Sequence, residues 1–278
     1  MNRESITRLA GVAEGCAGNE CQQVKAKLKA KTRASILGRA TRRRTTFATI
    51  LLFLATLVIL LSAGPGFTQV KMRIVPLNDF KAMQLRNVKA ERVTYKGRKA
   101  LRVTDAAAAN VPDGIQLVIL NKTKFQDGVI KIELTGEPSV TAGEGARGFV
   151  GVAFRVNLDA AKDSVKYESF YLRPTNGRAD DQVRRNHSTQ YVSYPDFPWY
   201  RLRKEFPEKY ESYVDVVPGE WTKMKITVRG DKARLYVNDI PQPVLVVNDL
   251  KQGPGQGRIA LWVGTGTVAH FSNLRVSK

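Results

Sequence analysis

Thirteen short runs of alternating apolar residues fill the last 200 or so residues of this 278-residue chain. They are Glu91–Tyr95, Ala100–Thr104, Ile115–Leu120, Val129–Leu134, Gly148–Val156, Tyr167–Arg173 and Gln190–Tyr194, then Tyr213–Val217, Thr222–Arg229, Ala233–Asn238, Val244–Asn248, Arg258–Val263 and Ala269–Val276. Each is rich in Val, Ile, Tyr and Phe, the residues that suit a pleated surface. Turn chemistry separates them: Lys96-Gly97, Asp127-Gly128, Gly230-Asp231, Gly253-Pro254-Gly255 and Gly264-Thr265-Gly266. In Thr222–Arg229, Lys223, Lys225 and Thr227 alternate with Met224, Ile226 and Val228, so one face is wet and the other buried. This run and Ala233–Asn238 read as a hairpin. Helical periodicity is confined to Ala160–Tyr167 and Tyr200–Glu211. So many strands and so few helices predict an all-β fold, a two-sheet antiparallel sandwich.

A different segment divides the chain. Residues 47–64 hold 18 residues without a charge, directly after Arg42-Arg43-Arg44. A helix needs about 18–20 apolar residues to cross the hydrocarbon core. A cleavable signal has a shorter apolar region and small residues at its exit, and Ser62-Ala63-Gly64 supplies them just ahead of Pro65. The expectation is one N-terminal transmembrane or signal helix over 46–66, with cleavage left open. Residues 1–45 carry 11 Lys or Arg against 3 Glu, a net +8 of the chain's +20. Basic flanks stay inside, which makes 1–45 a disordered cytoplasmic leader and 70–278 an exported domain, anchored in the membrane or released outside the cytoplasm. Cys16 and Cys21 are the only cysteines, so the exported part has no disulfide. The +12 left outside the leader favours an anionic partner such as acidic polysaccharide, and export argues against nucleic acid.

The segment about 174–212 reads as a long inserted loop. Residues 167–203 concentrate aromatic, guanidinium and amide groups that a sandwich does not need: Tyr171, Arg173, Asn176, Arg178, Arg185, His187, Gln190, Tyr191 and Trp199. Aromatic faces stack on sugar rings, and Arg, Asn and Gln bond paired hydroxyls or carboxylates. A carbohydrate site is expected here, with Tyr171 and Arg173 on alternate positions of a floor strand. Arg185, His187, Gln190, Tyr191 and Trp199 are assigned to the rim, with Asn176 and Arg178 beside them. His187 titrates near neutrality and is the candidate acid or base. The same residues also serve a bland reading, in which aromatics pin the loop and Arg178, Asp180, Asp181, Arg184 and Arg185 pair among themselves. Trp221 and Trp262 lie inside strand runs and are assigned to the core. No cofactor is expected. Asn157, Asp159, Asn176 and Asp180 offer oxygen ligands for calcium without an EF-hand spacing.

The order of several segments carries a family resemblance. They are Phe125-Gln126-Asp127-Gly128 with Val129 to Glu133, then Gly148 to Arg155, Tyr167 to Pro174 and Pro218-Gly219-Glu220-Trp221-Thr222. Ala233 to Asn238, Gly257 to Gly264 and Phe271 to Val276 complete the series. Over about residues 75–278 the chain resembles the concanavalin A-like jelly rolls, in the laminin-G-like branch related to the 3-keto-disaccharide hydrolase domain and to family 16 glycoside hydrolases. The resemblance implies a jelly-roll sandwich that binds carbohydrate, that hydrolyses glycosides of 3-keto sugars, or that serves as an adhesion module. Family 16 enzymes carry a Glu-x-Asp-x-x-Glu strand whose alternate carboxylates act as nucleophile and acid, and this chain has none. Elimination beside a keto group needs one base only, which His187 or an acid of the loop would supply.

Overall fold

The computed structural model describes residues 71–106, 114–159 and 163–277, and in the leader only Gln23, Ala26, Lys27 and Lys29, all helical and exposed. The chain divides into two units, Met1–Gln69 and Val70–Lys278, and every strand among the described residues belongs to the second. The apolar block 47–64 lies outside the described residues. Among the described residues no helix is long and apolar enough to cross a membrane.

Among the described residues fifteen strands follow one another as β1 (Arg73–Ile74), β2 (Met83–Arg86), β3 (Val88–Tyr95), β4 (Arg98–Asp105), β5 (Leu117–Phe125), β6 (Gly128–Pro138), β7 (Val150–Asp159), β8 (Ser164–Leu172), β9 (Thr189–Tyr194), β10 (Glu211–Ser212), β11 (Thr222–Arg229), β12 (Lys232–Val237), β13 (Leu245–Val247), β14 (Gly257–Val263) and β15 (Thr267–Val276). One sheet runs β13-β12-β11-β6-β15-β4-β3 with β1 added on β15, and the other runs β10-β9-β8-β7-β14-β5-β2. Every pairing is antiparallel. The result is the expected two-sheet sandwich.

The two sheets bury their residues differently. In the first, Met224, Ile226 and Val228 point inward against Ile130, Ile132 and Leu134, while their neighbours are wet. The expected hairpin forms, with Met224 opposite Val237. In the second sheet both faces are covered, so β7 and β8 read as nearly continuous buried runs. Its inner face supplies Phe154, Phe170, Tyr191 and Leu261, all fully buried, each worth roughly 1.5–3 kcal/mol of transfer free energy. At one end Arg155 is 2 % exposed. Its guanidinium donates to the carbonyls of Gln126, Gly230 and Gly253 and pairs with Asp127 at 3.0 Å. A buried charge is tolerated there because its donors find acceptors.

Four sequence expectations change. Ala160–Tyr167 is not a helix over its described part, since β8 begins at Ser164. Tyr200–Glu211 is helical only as far as Glu205, in a helix that starts at Trp199. Tyr213–Val217 is extended and alternately buried, but it joins no ladder. Trp221 stands just ahead of β11, half-buried and outside the core, under the Arg98 guanidinium at 5.2 Å. The segment 174–212 contains three short helices, α1 (Pro174–Gly177), α2 (Gln182–Asn186) and α3 (Trp199–Glu205), together with β9 and β10. Its Leu202 is fully buried and belongs to the hydrophobic core.

Candidate functional site

The ladder registers align one row of residues across the outer face of the second sheet. Glu211 on β10 is opposite Gln190 on β9, and Gln190 is opposite Tyr171 on β8. Tyr171 is opposite Gly151 on β7, and Gly151 is opposite Trp262 on β14. With no side chain at Gly151, the two flanking rings lean together over it. Tyr171 and Trp262 stack with centroids 4.5 Å apart and planes 25° from parallel. Trp262 Nε1 donates to Tyr167 Oη at 3.1 Å, and Tyr167 donates to the Gly114 carbonyl. Tyr194 stacks on Tyr167 at 5.3 Å. These rings, with Phe149, Trp199 and Tyr200, line a cleft of about 390 Å³. Trp199 and Tyr200 form its exposed wall, 38 % and 63 % accessible.

A polar cluster closes the row at its β10 end. Arg173 leaves β8 on the same side as Tyr171. Its guanidinium donates to Tyr171 Oη at 2.9 Å, Gln190 Oε1 at 3.0 Å, Glu211 Oε1 at 3.1 Å and the His187 carbonyl at 3.0 Å. Arg203 of α3 grips the same carboxylate from the other side, Nε to Oε2 at 2.9 Å. His187 Nε2 lies 3.6 Å from Glu211 Oε2. Both Arg173 and Arg203 face the Trp199 ring, at 5.9 and 4.8 Å, so the cluster and the cleft share a wall. Burial by itself would raise the Glu211 pKa. The Arg203 hydrogen bond and the charges of Arg173 and Arg203 outweigh it and hold the carboxyl below its usual range. Burial lowers the His187 pKa and the two guanidinium groups add to this, with Glu211 opposing. Neutral imidazole beside a fixed carboxylate is therefore the state near pH 7, and it leaves a ring nitrogen able to take a proton.

Five of the residues singled out from sequence meet here: Tyr171, Arg173, His187, Gln190 and Trp199. Asn176 of α1 braces them, donating to the His187 carbonyl at 3.2 Å. Three others lie elsewhere. Tyr191 does not line the rim. It follows Gln190 on a strand and so points the opposite way, fully buried between the sheets, where it donates to Glu168 Oε2 at 2.6 Å. Arg178 is exposed and pairs with Asp215 through both nitrogens, at 2.8 and 3.1 Å. Arg185 is half-buried and donates to Tyr213 Oη at 3.0 Å. The expected internal network of arginines and aspartates is replaced by these separate contacts, with Asp181 capping α2 through the Arg184 N–H. Trp262 is nearly buried, as expected, but on the face that lines the cleft and not between the sheets.

Glu211, Arg203, Tyr167 and Tyr194 received no individual role from the sequence, although Tyr194 and Arg203 lie in the stretch it singles out and Glu211 is an acid of the loop. Alternation does put Tyr167 and Tyr194 on the faces of Tyr171 and Gln190, so that signal existed. Glu211 was only one of the loop's acids, because only the β9–β10 pairing brings it beside Arg173. Among the described residues no three His, Cys, Asp or Glu side chains gather as a metal site. Asn157 and Asn176 sit on different elements, and both amides donate to carbonyls.

Solved structures with a similar fold include a carbohydrate-binding module, CBM66, of Bacillus subtilis, 13 % identical, with a TM-score of 0.44 over 70 % of this chain and 97 % of that one. Another is a Parabacteroides distasonis protein described as a glycosyl hydrolase, 11 % identical, with a TM-score of 0.45 over 75 % of this chain and 99 % of that one. A β-glucanase of Bacillus licheniformis is 12 % identical, with a TM-score of 0.36 over 77 % and 95 %. At these scores they carry no argument about activity. No curated protein matches the sequence. Residues 78–277 match the family described as the 3-keto-alpha-glucoside-1,2-lyase-like domain. That span takes in every strand from β2 to β15, and the chain belongs to this family.

Proposed function

We propose that the protein binds carbohydrate in the cleft on the outer face of the second sheet. The observation that carries this reading is the Tyr171–Trp262 stack over Gly151, an aromatic floor with guanidinium and amide groups at one end. The floor offers a flat apolar surface to the C–H face of a sugar ring. Arg173, buried at the end of this floor and bonded to Gln190, holds the Tyr171 hydroxyl in place. The uncharged block 47–64 favours export, with the domain held at the membrane or released outside the cytoplasm.

A second reading is cleavage of 3-keto glycosides, favoured by His187 beside Glu211 and by the family. His187 would remove the proton from the carbon between the keto group and the anomeric carbon. The electron pair would form a carbon–carbon double bond and expel the glycosidic oxygen, which takes a proton from water. One base suffices for this step. Glu211, held ionised by two arginines, would stabilise the imidazolium that forms.

The test is to incubate residues 70–278 with neutral and acidic oligosaccharides and with their 3-keto derivatives, following heat by titration calorimetry and products by mass spectrometry. Saturable binding that Trp262→Ala abolishes is the expected result. No binding by any sugar overturns the cleft reading and leaves protein adhesion. Release of a keto sugar that His187→Ala abolishes, with binding retained, selects the lyase reading over binding alone.

A further inference from the structure

The outer face of the first sheet, on the other side of the sandwich, carries a second feature. Arg275 on β15 stands opposite Lys131 on β6, Lys131 opposite Lys225 on β11, and Lys225 opposite Tyr236 on β12. Three cations therefore occupy one line across three adjacent strands, at about 4.8 Å per strand. Their chain neighbours Ile130, Ile132, Met224, Ile226 and Val276 are buried, which turns the charged side chains outward. Like charges directly opposite on a sheet repel, and burial together with Lys131 lowers the pKa of Lys225. Lys225 Nζ rests over the Tyr236 ring at 3.7 Å. Among the described residues none of the three cations has a carboxylate partner. The two nearby carboxylates are engaged elsewhere, Asp239 by Lys223 at 2.5 Å and Glu133 by Arg98 at 2.5 Å and Asn273 at 2.7 Å.

We propose that this row is an anion-binding groove for a linear acidic polysaccharide, separate from the aromatic cleft. The row lies in a groove of about 270 Å³ lined as well by Tyr236, Ile240 and Pro241, by Lys223, and by the carboxylates Glu133 and Asp239. Ile240 is 47 % exposed and offers apolar contact beside the charges. A thread laid along the row meets Arg275, Lys131 and Lys225 in turn, while Glu133 and Asp239 in the same groove are each held by another cation, Arg98 and Lys223. A line of cations set one strand apart matches a polymer with acid groups along its length. The like-charge repulsion that the fold tolerates here is relieved when a carboxylate settles between the cations.

The experiment compares the full chain with the same chain carrying Lys131→Gln, Lys225→Gln and Arg275→Gln. The leader's charge is common to both, so the difference isolates the row. The probe is polygalacturonate, with neutral dextran as control. Affinity for polygalacturonate is expected to fall about tenfold in the variant, as three surface charge contacts would give, and its salt dependence to flatten. Its melting temperature is expected to equal or exceed that of the wild type, because repulsion has been removed. Arg275→Gln alone, at an exposed position, is expected to weaken binding about two- to threefold and serves if the triple variant does not fold. Unchanged polygalacturonate affinity overturns the proposal. Loss of binding to phosphatidylglycerol vesicles or to a single-stranded oligonucleotide, with polygalacturonate unaffected, also overturns it and assigns the row to that other partner.

Discussion

Tyr171 and Trp262 lie on strands that are not neighbours, yet their rings stack with centroids 4.5 Å apart. Two strand spacings are about 9.6 Å, so the contact exists only because Gly151, which separates them in the row, has no side chain. A Cβ placed on Gly151 would lie 2.2 Å from the Phe170 carbonyl oxygen and 2.6 Å from Tyr171 Cα. Both obstacles are backbone and cannot swing away. Gly151→Ala is expected to cost about 3 kcal/mol, the upper range for overpacking, measured by urea denaturation. It should also abolish sugar binding in the protein that still folds. Wild-type stability in this variant would mean that the strands separate easily and that the floor is not fixed by Gly151.

The wall of the cleft separates binding from folding. Trp199 begins α3, is 38 % exposed and makes its ring contacts with Tyr200, Arg173 and Arg203. Its removal leaves the core untouched. Trp199→Ala is expected to weaken sugar binding about tenfold, roughly the worth of one aromatic contact, and to leave the melting temperature within a degree or two. An unchanged affinity would place the ligand elsewhere on the sheet.

The sequence made the sandwich legible wherever one strand face meets water, and less so where both are covered. Lys223, Lys225 and Thr227 against Met224, Ile226 and Val228 gave the β11–β12 hairpin because the outer face of that sheet is exposed. On β9 the same alternation separates Gln190 from Tyr191: the two are adjacent and cannot share a face, so only Gln190 joins the site. Val214 and Val216 alternate like a strand and are buried, but they join no ladder: Val214 N–H donates to Ser188 Oγ and Val216 lies against Gly177. Gly151 and Glu211 gave no sign of their roles. Both depend on registers between strands distant in sequence, and a register is a property of the pairing rather than of either strand.

Burial and a ring stack set the response to mild acid. His270 is 4 % exposed, stacks on Tyr95 at 3.7 Å and shares a hydrogen between Nδ1 and Thr135 Oγ1 at 3.2 Å. Burial, with the Arg102 charge, pushes its pKa down from 6.5 to about 4. A depressed folded pKa means that the unfolded chain binds the proton first. The stability is therefore complete above about pH 6.5 and is lost as pH falls toward about 4. The loss is on the order of 3 kcal/mol by the linkage of one pKa unit to about 1.4 kcal/mol. His270→Gln is expected to flatten the stability profile between these limits, measured by denaturation at a series of pH values. An equal slope in wild type and variant would show that other groups carry the acid response.

The Arg173–Glu211 pair predicts the opposite variant behaviour at lower pH. Their side chains are 6 % and 3 % exposed and 3.1 Å apart. Removing one partner of a buried pair leaves the other charge uncompensated, at about 3–5 kcal/mol. Glu211→Gln keeps the shape and removes the charge, so it is expected to cost about 3 kcal/mol at pH 7, with Arg203 left free to turn to solvent. The Glu211 pKa is lowered in the folded state, so the wild-type advantage is fully present above the unfolded value of about 4.5 and disappears as pH falls through the folded value. Stability curves of wild type and Glu211→Gln should therefore run parallel above about pH 5 and converge in stronger acid. A gap that persists unchanged into acid would trace the loss to packing and not to the ion pair. The imidazole next to this carboxylate supplies a second readout. With Glu211→Gln, the His187 pKa, measured by proton NMR, should drop further, because the Glu211 charge is gone and only that of Glu208 is left to oppose burial, Arg203 and Arg173.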